Sequence, residues 1–140
     1  WWLAGRALRS TAEAIGGPVD TIVADLSFIS LSTVLPALTV CAGPHADIVP
    51  MVKPQFEVGR SQVGAGGVVS DPQLRAQAVL GVSRRAAELG WHTVGAVASP
   101  LPGPSGNVEY FLRLRAQTDH ALVGEDLDDA VRRAISEGPQ

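Results

Sequence analysis

The chain has 140 residues, 46% hydrophobic and 18% charged, with 11 basic and 14 acidic side chains for a formal net charge of -3. That composition suits one core-forming domain and excludes intrinsic disorder, a coiled coil and a collagen-like fibre. No apolar run reaches the ~18 residues that a bilayer crossing needs, and the single cysteine, Cys41, excludes a disulfide framework or a Cys-based zinc cluster, so a reducing cytoplasmic setting is expected.

The first residue is Trp1 rather than Met, with no signal-peptide layout after it, which predicts a piece of a longer protein. Residues 20–24 are apolar and β-branched, ending at Asp25, and read as a buried strand. Ser30 or Ser32 offers an N-cap for a short helix carrying Leu31, Val34, Leu35 and Leu38, weakened by Pro36 and ended by Gly43-Pro44. A second strand is predicted over 46–52, with Pro50 a mark against a central position, and it runs into Lys53-Pro54. Residues 57–70, with Gly59, Gly64, Gly66 and Gly67, are too glycine-rich for regular structure and read as a connector, with a gate over bound RNA as the sharper alternative.

Asp71-Pro72 opens the strongest helix, with Leu74, Ala78, Val82, Ala86 and Leu89 on one stripe and Gly90 as its stop. Strands are predicted over 91–98 and 107–115, separated by a Pro/Gly-rich loop without a helix. Leu127, Ala130, Val131, Ala134 and Ile135 define an amphipathic C-terminal helix with acids in its first turn. The acidity is concentrated there: residues 119–140 carry 6 acidic and 2 basic side chains, whereas residues 1–118 carry 8 and 9. The near-neutral body with scattered arginines neither supports nor excludes RNA as a partner.

The first three strands alternate with helices, so they should run parallel with right-handed crossovers, and the fourth should be reversed. This is an α/β class of Rossmann-like type, a mostly parallel sheet with one antiparallel strand. Ligands bind at the carboxyl ends of the parallel strands in such sheets. Asp25 ends the first strand, Lys53 ends the second, and Glu109 lies near the start of the reversed fourth, so all three fall on one rim. A lysine between two carboxylates can hydrogen-bond an incoming hydroxyl while the carboxylates fix its orientation. Lys53 is the only lysine among the basic residues, the rest being arginine. On spacing alone, a solvated surface lysine and a helix-capping Asp25 stand as the plainer alternative.

The segments Ala24-Asp25-Leu26-Ser27-Phe28-Ile29-Ser30-Leu31, Val52-Lys53-Pro54-Gln55-Phe56-Glu57, Gly66-Gly67-Val68-Val69 and Gly103-Pro104-Ser105-Gly106-Asn107-Val108-Glu109-Tyr110 occur in that order. Together they resemble the successive signatures of the TlyA, or hemolysin A, family of ribosomal RNA 2'-O-methyltransferases, which have an FtsJ-like catalytic domain. The resemblance covers about residues 11–138. It implies S-adenosyl-L-methionine as cofactor, ribosomal RNA or ribosomal subunits as partner, and cytidine as the target. It also implies a Lys-Asp-Lys-Glu catalytic tetrad, in which Asp25 matches the aspartate, Lys53 the second lysine and Glu109 the glutamate. The first lysine, the cofactor's glycine-rich turn and an S4-like RNA-binding domain are expected upstream, so residues 1–140 resemble the C-terminal portion of such an enzyme, inactive by itself. Cofactor contact is expected from the backbone of Asp25 and Leu26.

Other candidates carry less. The glycines at 64, 66 and 67 lack the Gly-Lys-Ser/Thr ending of a phosphate loop. Asp25-Leu26-Ser27-Phe28 has the acid-x-x-aromatic outline in which an aromatic stacks on a flipped base, but Phe28 is expected in the core. His45, His92 and His120 have no metal-ligand spacing, so no metal is expected. Ser105 has no strand-to-helix elbow around it. A membrane-lytic role, the class that the hemolysin name raises, meets an acidic rather than basic amphipathic helix and no membrane insertion is expected; a non-catalytic RNA-binding or assembly fragment is the remaining alternative.

Overall fold

The computed structural model describes residues 11–139; Trp1, Arg6 and Arg9 lie outside them. One sheet is built from β1 (Val19–Ala24), β2 (Ala42–Val52), β3 (His92–Ala98) and β4 (Tyr110–Arg115), in the spatial order β1-β2-β4-β3. β1 and β2 pair in parallel, and β4 pairs antiparallel with both β2 and β3. Three strands thus share a direction and the fourth is reversed, as expected. The last strand is inserted between β2 and β3, a placement that the spacing along the chain does not reveal.

Among the described residues three α-helices lie between these strands, α1 (Leu31–Cys41), the single turn α2 (Pro54–Glu57) and α3 (Pro72–Glu88), and a fourth, α4 (Gly124–Glu137), follows β4. Ile48 and Val52 of β2 and Tyr110, Leu112 and Leu114 of β4 pack against Val79, Val82 and Ala86 of α3 and Val131 and Ala134 of α4. Alternation along each strand puts the remaining apolar residues on the other face. There, register aligns Val23 with Val49, Met51 with Phe111, and Phe111 with Val97 in a row across the sheet, with Val23 and Val97 exposed.

Proline shapes two of these elements. Pro36 sits inside α1 and has no N–H for the carbonyl of Ser32; Arg85 Nε of α3 donates to that oxygen instead, at 3.4 Å. Pro50 does lie in a central strand, contrary to expectation. The ladder to β4 steps from Ile48 opposite Leu114 directly to Met51 opposite Phe111, so the gap in pairing coincides with the missing donor.

Two strand starts differ from expectation by more than one residue. β2 begins at Ala42 rather than 46, because α1 passes into it without a loop. β4 begins at Tyr110 rather than 107, because the backbone before it bonds to its own loop: Gly103 N–H donates to Asn107 O at 2.8 Å and Ser99 N–H to Glu109 O at 2.8 Å. The glycine-rich connector is also more regular than expected, with short 3-10 turns at Arg60–Gln62 and Ala65–Gly67.

Candidate active site

Parallel pairing of β1 and β2, with Ala24 level with Pro50, brings the two strand ends out side by side. Asp25 follows the first and Lys53 the second. Lys53 Nζ lies 2.7 Å from Asp25 Oδ1 and 3.7 Å from Glu109 Oε1, and donates to Ser27 Oγ at 3.1 Å. The reversed strand does bring Glu109 to the same rim. Asp25, Lys53 and Glu109 are therefore together, from three separate regions of the chain. Leu26 is half-buried beside Asp25 at the end of β1.

The three charges are unequally sheltered. The Lys53 side chain is 11% exposed and that of Glu109 9%, whereas that of Asp25 is 64% exposed. An ammonium has three donors. Asp25 and Ser27 take two of them at short range; Glu109, at 3.7 Å, attracts without a short bond, which leaves a proton for an incoming oxygen.

A tight turn fixes Glu109. Gly106 N–H donates to Gly103 O at 2.9 Å, with Pro104 at the second position, where a fixed φ suits such a turn. The Glu109 carboxylate packs against Gly103 so closely that a β-carbon there would lie 2.7 Å from Oε1. Asn107, 2% exposed, joins this turn to the glycine-rich connector: its Oδ1 accepts from Val69 N–H at 2.9 Å and its Nδ2 donates to Gly67 O at 2.8 Å. Arg75 Nε donates to Val69 O at 2.8 Å and holds the same point from α3.

Phe28 is not a core residue. It is 91% exposed, and its φ of 63° places a non-glycine residue in the left-handed region, a conformation that costs about 1 to 3 kcal/mol and persists only where its surroundings enforce it. Its ring packs against Phe56 with centroids 5.1 Å apart. The pair borders a cleft of about 560 Å³ lined also by Ile29, Ser30, Gln55 and Arg60.

Glu57 closes the same edge. Ser30 Oγ donates to its Oε2 at 2.7 Å and the Leu31 N–H to its Oε1 at 2.8 Å, so a carboxylate from α2 caps the start of α1. Burial pushes the Glu57 carboxyl above the usual carboxylate range, against the two hydrogen bonds that pull it down. Ser27, Phe28 and Glu57 all lie within motifs visible in the sequence, but nothing in their spacing marks a partner across the chain. Asn107 could have been noticed as an amide beside a strand otherwise built to be buried.

Among the described residues, no group of three His, Cys, Asp or Glu is arranged to hold a metal, and no helix is long and apolar enough to cross a membrane.

Comparison with known proteins supplies context for this geometry. A sequence model of the FtsJ-like methyltransferase family matches residues 5–116. The chain is 75% identical over 129 residues to the 16S/23S rRNA (cytidine-2'-O)-methyltransferase TlyA of Mycobacterium tuberculosis strain H37Rv, covering 92% of this chain and 48% of that protein. It is 36% identical over 93 residues to the 23S rRNA (cytidine-2'-O)-methyltransferase TlyA of Campylobacter jejuni, covering 66% of this chain and 36% of the relative. Among solved structures, a Streptococcus thermophilus protein that carries the hemolysin name superposes with a TM-score of 0.81 at 28% identity, over 94% of this chain and 48% of that one. The chain spans about half the length, or less, of the curated relatives it matches.

Proposed function

Because the chain belongs to the FtsJ-like methyltransferase family, we propose that it forms the hydroxyl-handling part of a cytoplasmic ribosomal RNA 2'-O-methyltransferase acting on cytidine. The observation that carries this reading is the partly sheltered ammonium of Lys53, set 2.7 Å from Asp25 and 3.7 Å from Glu109 on the rim where such sheets bind ligands. The 75% identity to a relative named for cytidine 2'-O-methylation supports the choice of substrate.

In this reading Lys53 is a catalytic residue that directs a proton at the ribose 2'-oxygen. It would stabilise the negative charge left on that oxygen as the hydroxyl proton passes to solvent, so that the oxygen can take a methyl group whose bond to the sulfonium sulfur breaks with the electron pair staying on sulfur. Asp25 and Ser27 hold the ammonium in place, and Glu109 offsets its charge from the buried side. Phe28, exposed beside this centre, offers a face on which a base drawn out of its stack can lie. Arg60, at the edge of the adjoining cleft, is placed for phosphate.

S-adenosyl-L-methionine, when bound, supplies the electrophilic methyl group. The residues present fit it: Asp25 is largely exposed at the end of β1, with Leu26 half-buried beside it. The backbone of Asp25 and Leu26 would hold the methionine part.

The test is Lys53→Ala in the protein expressed from its full coding sequence. Mass mapping of ribosomal RNA should show loss of the ribose methyl group. Undiminished methylation would remove Lys53 from the reaction and this reading with it.

A further inference from the structure

We infer that Glu57 is a positioning residue: its carboxylate fastens the loop carrying Asp25, Ser27 and Phe28 to the turn behind Lys53, and so holds the Phe28 ring outward for the RNA base. This rests on the reading of Phe28 as a base platform. Beyond the sheet, the loop after β1 stays tied to the turn after β2 by side chains. Lys53 bonds Asp25 and Ser27, Phe56 meets Phe28, and Glu57 bonds Ser30 and Leu31. Residues 25 to 31 are thus tied, in order, to residues 53 to 57.

Phe28 lies between two of these ties. Its left-handed backbone is unfavourable for a side chain that large, and the ring, 91% exposed, has little burial to offset it. The constraint must come from both flanks. Lys53 supplies it on the Ser27 side; on the Ser30 side it is Glu57, whose bond from Ser30 Oγ is 2.7 Å long. Ser30 Oγ also accepts from the Ser32 N–H at 3.2 Å, so one hydroxyl connects the Glu57 carboxylate to the first turn of α1. Without the carboxylate, the loop can return to an ordinary backbone conformation and the ring leaves its position.

The experiment uses the full-length protein with Glu57→Ala, Glu57→Gln, Phe28→Ala and the double variant Glu57→Ala/Phe28→Ala. Glu57→Ala should lower kcat for ribosomal RNA methylation roughly ten- to a hundredfold. Glu57→Gln, which keeps an acceptor, should recover much of the loss. The double variant should be no worse than Phe28→Ala alone. Independently of activity, nuclear Overhauser contacts between the Phe28 and Phe56 rings should vanish in Glu57→Ala. Persistence of those contacts overturns the inference, as does a double variant whose losses multiply. Loss of the contacts with Phe28→Ala fully active would retain the positioning role and instead remove Phe28 from base recognition.

Discussion

The carboxylate of Glu109 occupies the space that a side chain at residue 103 would need: a β-carbon on Gly103 would stand 2.7 Å from Oε1 and 3.2 Å from Cδ. A side chain there fits only if the Glu109 carboxylate gives way, and the backbone conformation does not demand glycine. Gly103→Ala should push Glu109 away from Lys53, costing about 1 to 3 kcal/mol of stability. Methyl transfer by the full-length protein should fall at least roughly tenfold, equivalent to ~1.4 kcal/mol in the barrier. Urea denaturation and a methylation assay on ribosomal RNA measure the two effects; unchanged activity would mean that Glu109 does not act through Lys53.

Lys53→Met should leave the Glu109 carboxylate sheltered and without its cation. Breaking a buried pair in this way costs about 3 kcal/mol, reduced to the extent that Asp25 already faces water. Adding Glu109→Gln removes the uncompensated charge, so the double variant should recover most of the stability and none of the activity. Chemical denaturation of the two variants at neutral pH checks the order.

Asn107→Ala should release the glycine-rich connector from the Glu109 arm. Two backbone groups, Val69 N–H and Gly67 O, lose their partner, for a cost of about 2 kcal/mol. Hydrogen exchange should quicken at the Val69 amide, while amides in the centre of β2 and β4 change little. An equal acceleration everywhere would show that Asn107 supports the whole fold rather than this junction.

Tyr110 is fully buried and its hydroxyl has no hydrogen-bond partner of good geometry. Burial pushes it above the ordinary tyrosine value of 10.0, against the pull of the Arg75 charge. The folded state therefore keeps this proton longer than the unfolded chain does. The contribution to stability is complete below about pH 10 and is lost as pH rises through the folded value. Tyr110→Phe should leave stability at neutral pH within about 1 kcal/mol, since removing a buried unpaired hydroxyl is close to neutral, and should weaken the alkaline loss. Thermal unfolding across pH 9 to 11 follows both.

The parts of this structure carried by short-range signals were readable in the sequence. Asp71 caps α3 through the Gln73 N–H, Pro72 starts it, and Gly90 with φ 82° ends it, as the residue types require. The reversed direction of β4 followed from the absence of a helix before it. That direction, with the rule that ligands collect at strand ends, was enough to group Asp25, Lys53 and Glu109. What could not be read depends on which residues meet across the chain. Phe28 looks like core by hydrophobicity, yet its backbone is held in a conformation that turns the ring outward. Pro50 tells against a central strand only if the N–H at that position must donate to a neighbour, and β2 leaves a gap in its ladder there. Glu57 and Asn107 are polar residues whose function lies in distant backbone groups, about which local sequence carries no information.

The insertion of β4 between β2 and β3 has a consequence for how the molecule comes into being. Asp47 of β2 and Arg113 of β4, joined by two hydrogen bonds, are 66 residues apart along the chain. Until β4 has been synthesised, β2 and β3 have nothing between them, so the sheet closes late and through contacts of long loop length, which slows folding. Glu109 directly precedes that strand. A nascent chain can therefore bring Lys53 to Asp25 early, but the buried third charge arrives only with the closing strand, and assembly of the site coincides with closure of the sheet.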